Sequence, residues 1–110
     1  MFGKKDWQPA TAAIVLVNIK RVSSDGLTPT REWAADVTLA SGEVVRAKLD
    51  EPRFVTDFWP PDARDVVKVQ HDPKSGAFRF DMSDPQLSMK GREKLARDAF
   101  NAALGGTPGA

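Results

Sequence analysis

At 110 residues, 41% of them hydrophobic and 28% charged, the chain fits one domain that buries roughly two-thirds of its unfolded surface, and whole-length disorder is excluded. Sixteen basic against fifteen acidic side chains leave a formal charge of +1, without the global basic excess that phosphate neutralisation asks of a strong nucleic-acid binder. The absence of cysteine excludes disulfides, thiolate catalysis and structural zinc fingers, and with a single histidine, His71, any metal site would rest on carboxylates.

Residues 1–10 read as a flexible leader, because Gly3 and Pro9 oppose regular structure; Trp7 is the side chain there with most to gain by docking back on the body. The apolar run at residues 12–17 is too short to span a bilayer, and no signal-peptide pattern precedes it, so a cytoplasmic chain without membrane contact is expected. Residues 11–22 form the first strand, rich in β-branched side chains. Strict alternation puts Ile14 and Leu16 on one face and Val15, Val17 and Ile19 on the other.

After a turn-rich loop at residues 23–30, residues 31–39 alternate as a second strand, with Trp33, Ala35, Val37 and Leu39 inward. Ala40-Ser41-Gly42-Glu43 reads as a hairpin turn, and residues 43–49 return with Val45, Ala47 and Leu49 inward and Arg46 and Lys48 outward. Pro52, Pro60 and Pro61 bar a central strand from residues 50–64. There Phe54, Val55, Phe58 and Trp59 have helical spacing, so a single helical turn plugging one end of the sheet is expected. Residues 65–71 are the fourth strand, Asp72-Pro73-Lys74-Ser75-Gly76 a turn, and residues 77–82 the fifth strand with Phe78, Phe80 and Met82 on one face. Residues 83–87 are a linker. Ser88 is the expected N-cap of a helix over residues 89–104, ended by Gly105-Gly106. Leu95, Ala96, Ala99, Phe100, Ala103 and Leu104 make its apolar stripe, and residues 105–110 read as a disordered tail.

Five strands joined mainly by hairpins make a meander, and a long first strand can pair on both sides and bring the sheet round on itself. The expected fold is therefore mainly β: a small five-stranded antiparallel barrel over residues 11–82, OB-like or SH3-like and partly open, followed by a C-terminal α-helix in the segment 83–104. Ala13-Ile14-Val15-Leu16-Val17, the charged hairpin at residues 31–49, residues 54–61, and Val67-Lys68-Val69-Gln70-His71-Asp72-Pro73 occur in an order that resembles a loosely defined class of short bacterial β-barrel domains common in actinobacteria. The resemblance covers residues 11–82 and implies a barrel with no established activity and no site residues to carry over. The class usually has a glycine before its fourth strand, where this chain has Asp62-Ala63-Arg64.

Several groups carry chemistry in principle. His71, Asp72 and Asp81 could face one another across the second hairpin for metal binding or acid–base work; their ordinary role is strand end and turn. The carboxylates of Asp50, Glu51, Asp57, Asp62 and Asp65 match no calcium-loop spacing and read as solvated loop residues. Phe54, Phe58 and Trp59 are either a stacking platform or a core plug, and their acidic neighbours favour the plug. Arg46 and Lys48, with Lys20, Arg21, Lys68 and Arg79, are either a basic sheet face or an ordinary wet one. The helix stripe packs either on its own sheet, the preferred reading, or on a second copy. With no nucleophile–base pair, the chain is expected to be a non-catalytic interaction module, without cofactor or metal, that binds another protein or itself. The residues expected at its contact surface are Trp59, Phe58, Arg46, Lys48 and Phe100. The alternative is an OB-type nucleic-acid-binding domain.

Overall fold

A computed structural model describes residues 6–22, 29–53 and 55–106. The loop at 23–28, Phe54, the first five residues of the leader and the tail at 107–110 lie outside the described residues. Five strands, β1 (Gln8–Val22), β2 (Pro29–Thr38), β3 (Val44–Asp50), β4 (Val66–Asp72) and β5 (Ala77–Phe80), form one antiparallel sheet in the order β3-β2-β1-β4-β5. A 3-10 turn, η1 (Pro85–Leu87), leads into a single helix, α1 (Met89–Leu104).

The long first strand is the keel. Its first half pairs with β4 from Gln8↔His71 to Ala13↔Val66, and it pairs with β2 from Thr11↔Thr38 to Val22↔Pro29. Gln8, Pro9 and Ala10 thus belong to β1 rather than to the leader. Pro9 is tolerated because β1 has no β2 partner before Thr11, so its missing N–H falls on an unpaired edge. The sheet curls into a half-barrel in which β3 and β5 approach each other but do not pair among the described residues. A groove of about 420 Å³ separates them, between Asp50, Glu51, Pro52 and Arg53 on one side and Phe78, Arg79 and Phe80 on the other.

Both expected hairpins form. Gly42 donates to the Leu39 carbonyl at 2.9 Å with φ at +94°, and Gly76 donates to the Asp72 carbonyl at 2.8 Å with φ at +75°, values that favour glycine. Before β4, Arg64 sits at φ +78°, so a non-glycine residue occupies the left-handed region where glycine would fit without strain. Its amide donates to the Ile14 carbonyl while Ile14 donates to Asp65, both at 2.8 Å, which extends the β1 pairing beyond β4.

The core lies in the concave face. Ala10, Ala12 and Ile14 from β1 meet Trp33, Ala35 and Val37 from β2, Leu49 from β3, Val67 and Val69 from β4, Phe80 from β5, and Leu87. In β2, β3, β4 and β5 the inward residues follow the alternation. In β1 the pattern breaks: the register shifts between Ile14 and Leu16, a β-bulge at Val15. The bulge moves the inward side from even to odd positions, so Val17 packs against the core while Leu16, expected to share a face with Ile14, is 61% exposed. The helical turn expected near residues 54–59 is also corrected. Residues 55–59 are non-helical, and Phe58 instead makes an isolated antiparallel bridge with Ser88.

Candidate functional site

Phe58 and Trp59 diverge. Phe58 turns into the core, edge-on to Trp33 at 5.8 Å and tilted against Phe80 at 5.4 Å between ring centroids, so it plugs the half-barrel. Trp59, the next residue, is 41% exposed, with the Arg92 guanidinium over its ring at 5.2 Å. The same segment holds the helix to the body. Trp59 donates its amide to Leu87 and Met89 donates to Asp57, both at 2.9 Å, around the Phe58–Ser88 bridge.

The linker finishes what β5 leaves undone. Beyond the Val69↔Phe80 pair, the Asp81 amide still donates to the Lys68 carbonyl at 3.0 Å, and side chains then take over the β4 edge: the buried Asp84 carboxylate accepts from the Lys68 amide at 2.8 Å, and Gln86 donates to the Val66 carbonyl at 3.1 Å. Asp84 also accepts from the Gln86 amide and so caps η1. Ser88 caps α1 by accepting from Gly91 at 2.9 Å. Gly91 lies so close to Pro85 that a Cβ there would stand 2.3 Å from the Pro85 carbonyl oxygen. The corner between η1 and α1 is therefore tight, and the Arg92 side chain reinforces it by donating to the Gln86 carbonyl at 2.8 Å.

Arg46 and Lys48 point outward, as expected, and both meet carboxylates. Arg46 grips Asp36 with two hydrogen bonds and holds the Asp36 carboxyl below its ordinary pKa. The Lys48 ammonium lies 3.9 Å from Glu32 and 3.7 Å from Asp50. Arg79 donates to Gln70 at 2.7 Å and covers the Trp7 ring at 4.0 Å, which docks that leader side chain. Arg46 and Lys48 stand on the edge strand β3, Arg79 on the other edge strand β5, and Lys68 on β4 between β1 and β5. The side chains of Lys20 and Arg21 lie outside the described residues.

The titratable groups of the second hairpin do not converge. The His71 ring stacks on Phe78 at 4.6 Å. Asp72, buried, accepts from the Ser75 hydroxyl at 2.7 Å and the Lys74 amide at 3.1 Å, and these bonds, Ser75 foremost, hold its carboxyl below its ordinary pKa against the opposing effect of burial. Asp81 accepts from the amide and hydroxyl of Ser83. In the acidic segment Glu51 pairs with Arg31 at 3.1 Å, and Asp65 accepts from the Asp62 amide at 2.8 Å. Among the described residues no three His, Asp or Glu side chains are placed to hold a metal ion, and no buried side-chain polar atom lacks a partner.

The feature that stands apart is α1. Its apolar stripe does not pack on its own sheet: none of the sixteen residues is buried, and Phe100 and Leu104 are 64% and 69% exposed. The sequence pattern defines the stripe but not its partner, because Gly91 and Ser88 fix the direction in which the helix leaves the body. On the opposite side of its first turns a groove of about 680 Å³ runs between α1 and Val55, Met82 and Pro85, rimmed by Lys90, Lys94 and Arg97. Lys94 pairs with Asp98 at 3.1 Å and Arg97 with Glu93 at 3.7 Å, so these two cations beside the groove are matched along the helix. Met89, 57% exposed, was not part of the expected stripe; it belongs to the same apolar side, at the base next to Trp59. Among the described residues no helix is long and apolar enough to cross a membrane. No protein-family model, curated protein or solved structure matches the chain.

Proposed function

We propose that the chain is a non-catalytic interaction module, a half-barrel that presents the apolar side of α1 to a protein surface. One observation carries this reading: a sixteen-residue amphipathic helix leaves the core with none of its residues buried. Full burial of a Leu or Phe side chain is worth about 1.5–3 kcal/mol, and a solvated helix of this length is marginal by itself. A partner surface supplies what the helix lacks. The short ties at its base, from Ser88, Gly91 and Arg92, aim it away from its own sheet.

Within this reading the sheet is an OB-type barrel opened along one seam, with β1 shared by β2 and β4 and with β3 and β5 left as neighbouring edges. The likeness to short bacterial barrel domains belongs to the same proposal. A nucleic-acid-binding role has weaker support. Arg46 and Lys48 are engaged by Asp36, Glu32 and Asp50, and Phe58 is turned inward, so among the described residues that face offers no basic groove with an open aromatic.

The test is capture of binding proteins by the full chain, followed by reconstitution with each purified candidate. Phe100→Asp and Leu104→Asp are expected to abolish binding while the sheet stays folded. Binding indifferent to both substitutions overturns the reading. Salt-sensitive binding of single-stranded DNA or RNA that survives both would favour the nucleic-acid role instead.

A further inference from the structure

We infer that the occupant of the α1 surface is α1 of a second copy, packed antiparallel and crossing near Ala96. This rests on the reading of α1 as the contact surface and names what covers it. Past Arg92, whose guanidinium is held at the base by Gln86 and Trp59, the stripe Leu95, Ala96, Ala99, Phe100, Ala103 and Leu104 carries no charge.

Charge fixes the direction. Glu93 and Arg97, one turn apart and 3.7 Å from each other, lie on one flank of the helix, between the stripe and the groove behind it. In an antiparallel pair centred on that turn, each Glu93 faces the partner's Arg97, so the charges alternate around the crossing. A parallel pair would set the Glu93–Arg97 flank against the partner's other flank, where Leu95 and Ala102 carry no charge to meet it.

Size gives the same register. Ala96 falls at the crossing, where a small side chain lets two helices approach to about 8 Å, the short end of the usual range. Phe100 then lies over the partner's Met89, and Leu104 reaches the level of the partner's Trp59. Both receiving side chains are exposed. A two-fold axis satisfies both ends at once, and a single surface serves both partners.

The area also fits. A sixteen-residue helix is about 24 Å long, and a lone helix pair of that length falls short of the ~800 Å² per partner of a standard interface. Trp59, 41% exposed, and Met89, 57% exposed, extend the patch onto the body. The cation–π contact of Arg92 keeps Trp59 at the edge of the helix, where that extension needs it.

The chain has no cysteine, so single cysteines report on geometry without background. Under mild oxidation Ala96→Cys is expected to form a covalent dimer. Phe100→Cys alone is expected to form none, but to cross-link when mixed with Met89→Cys. Asn101→Cys, on the opposite side, is the negative control. In sedimentation equilibrium on the full chain, Phe100→Asp is expected to raise the dissociation constant at least tenfold. Glu93→Arg is expected to raise it two- to fivefold, with recovery in the Glu93→Arg/Arg97→Glu double variant. All these positions are exposed, and circular dichroism checks that each variant folds. Self-linking of Phe100→Cys without Ala96→Cys overturns the antiparallel register. A wild-type chain that stays monomeric at several hundred micromolar overturns self-pairing. If a purified foreign protein still binds in a Phe100-dependent way, the interaction-module reading survives that result; if nothing depends on Phe100, both fall.

Discussion

Trp33 is the largest fully buried side chain, and its chemistry shows what single residues contribute here. Its ring is edge-on to both Phe58 and Phe80, and its indole N–H donates to the buried Pro61 carbonyl at 2.9 Å, tying the proline-rich crossing to the sheet. Trp33→Phe keeps an aromatic in the cluster but leaves that carbonyl without its donor. The expected cost from the orphaned acceptor is about 1–3 kcal/mol, read as a lower urea midpoint at unchanged slope. Asp72 makes a different prediction. Its carboxyl is held below the ordinary value of 3.8 in the folded chain by Ser75 and Lys74. A carboxyl depressed on folding adds stability that is fully present above its unfolded value and is lost as pH falls through the lower folded value. Asp72→Asn keeps the turn's acceptor and removes the titration. Its stability should therefore fall less steeply than wild type on acidification below about pH 4; equal slopes would refute the assignment. Trp33 as a core residue and Asp72 as a turn former are both legible in sequence, from alternation and from the Asp-Pro pair. Arg64 at positive φ is not, because arginine carries no sign of the left-handed region.

At the scale of elements, periodicity located every strand and both hairpins to within a few residues, because one wet face and one dry face leave a period of two in the chain. It failed where the backbone itself departs from the period. The bulge at Val15 is written in hydrogen bonds, not in side-chain type, so Leu16 and Ile14 look equivalent in sequence and are opposite in structure. Likewise Phe58 and Trp59 share a spacing with a helix, yet the Phe58–Ser88 bridge, a long-range pairing, overrides it. The junction of η1 and α1 yields the sharpest test of an element. Alanine in a helix is favoured over glycine by about 1 kcal/mol, so an unconstrained Gly91→Ala should stabilise. Here its Cβ would stand 2.3 Å and 2.6 Å from the Pro85 oxygen and Cα, both backbone atoms that cannot swing aside. Overpacking of that kind costs about 1–3 kcal/mol and wins. A lower melting temperature for Gly91→Ala, with the sheet's own signals intact, is the expected outcome, and a higher one would show that the corner is loose.

For the whole molecule, two bodies of unequal strength share one chain. The half-barrel has a continuous core and buried polar groups that are all partnered among the described residues, whereas α1 is joined to it at its base, through η1 and the segment 57–59. The amphipathic stripe is plain in sequence. Where it points is not, since that depends on the cap, the glycine and the proline at the corner rather than on the stripe. Cooperative units open with free energies set by what they bury, from near zero for a fraying segment to the global value for a core. The strands should therefore exchange their amide hydrogens only on global unfolding. The amides of residues 95–104 should exchange orders of magnitude faster in dilute solution, because among the described residues nothing holds that part of the helix closed beyond its own hydrogen bonds and two exposed ion pairs. Covering the apolar side changes this by mass action: protection of those amides should rise with protein concentration in wild type and stay low in Phe100→Asp. Hydrogen exchange read by mass spectrometry across a concentration series separates the two cases. Helix amides as slow as those of β1 at every concentration would mean that α1 is already buried, and the surface assigned to it would not exist.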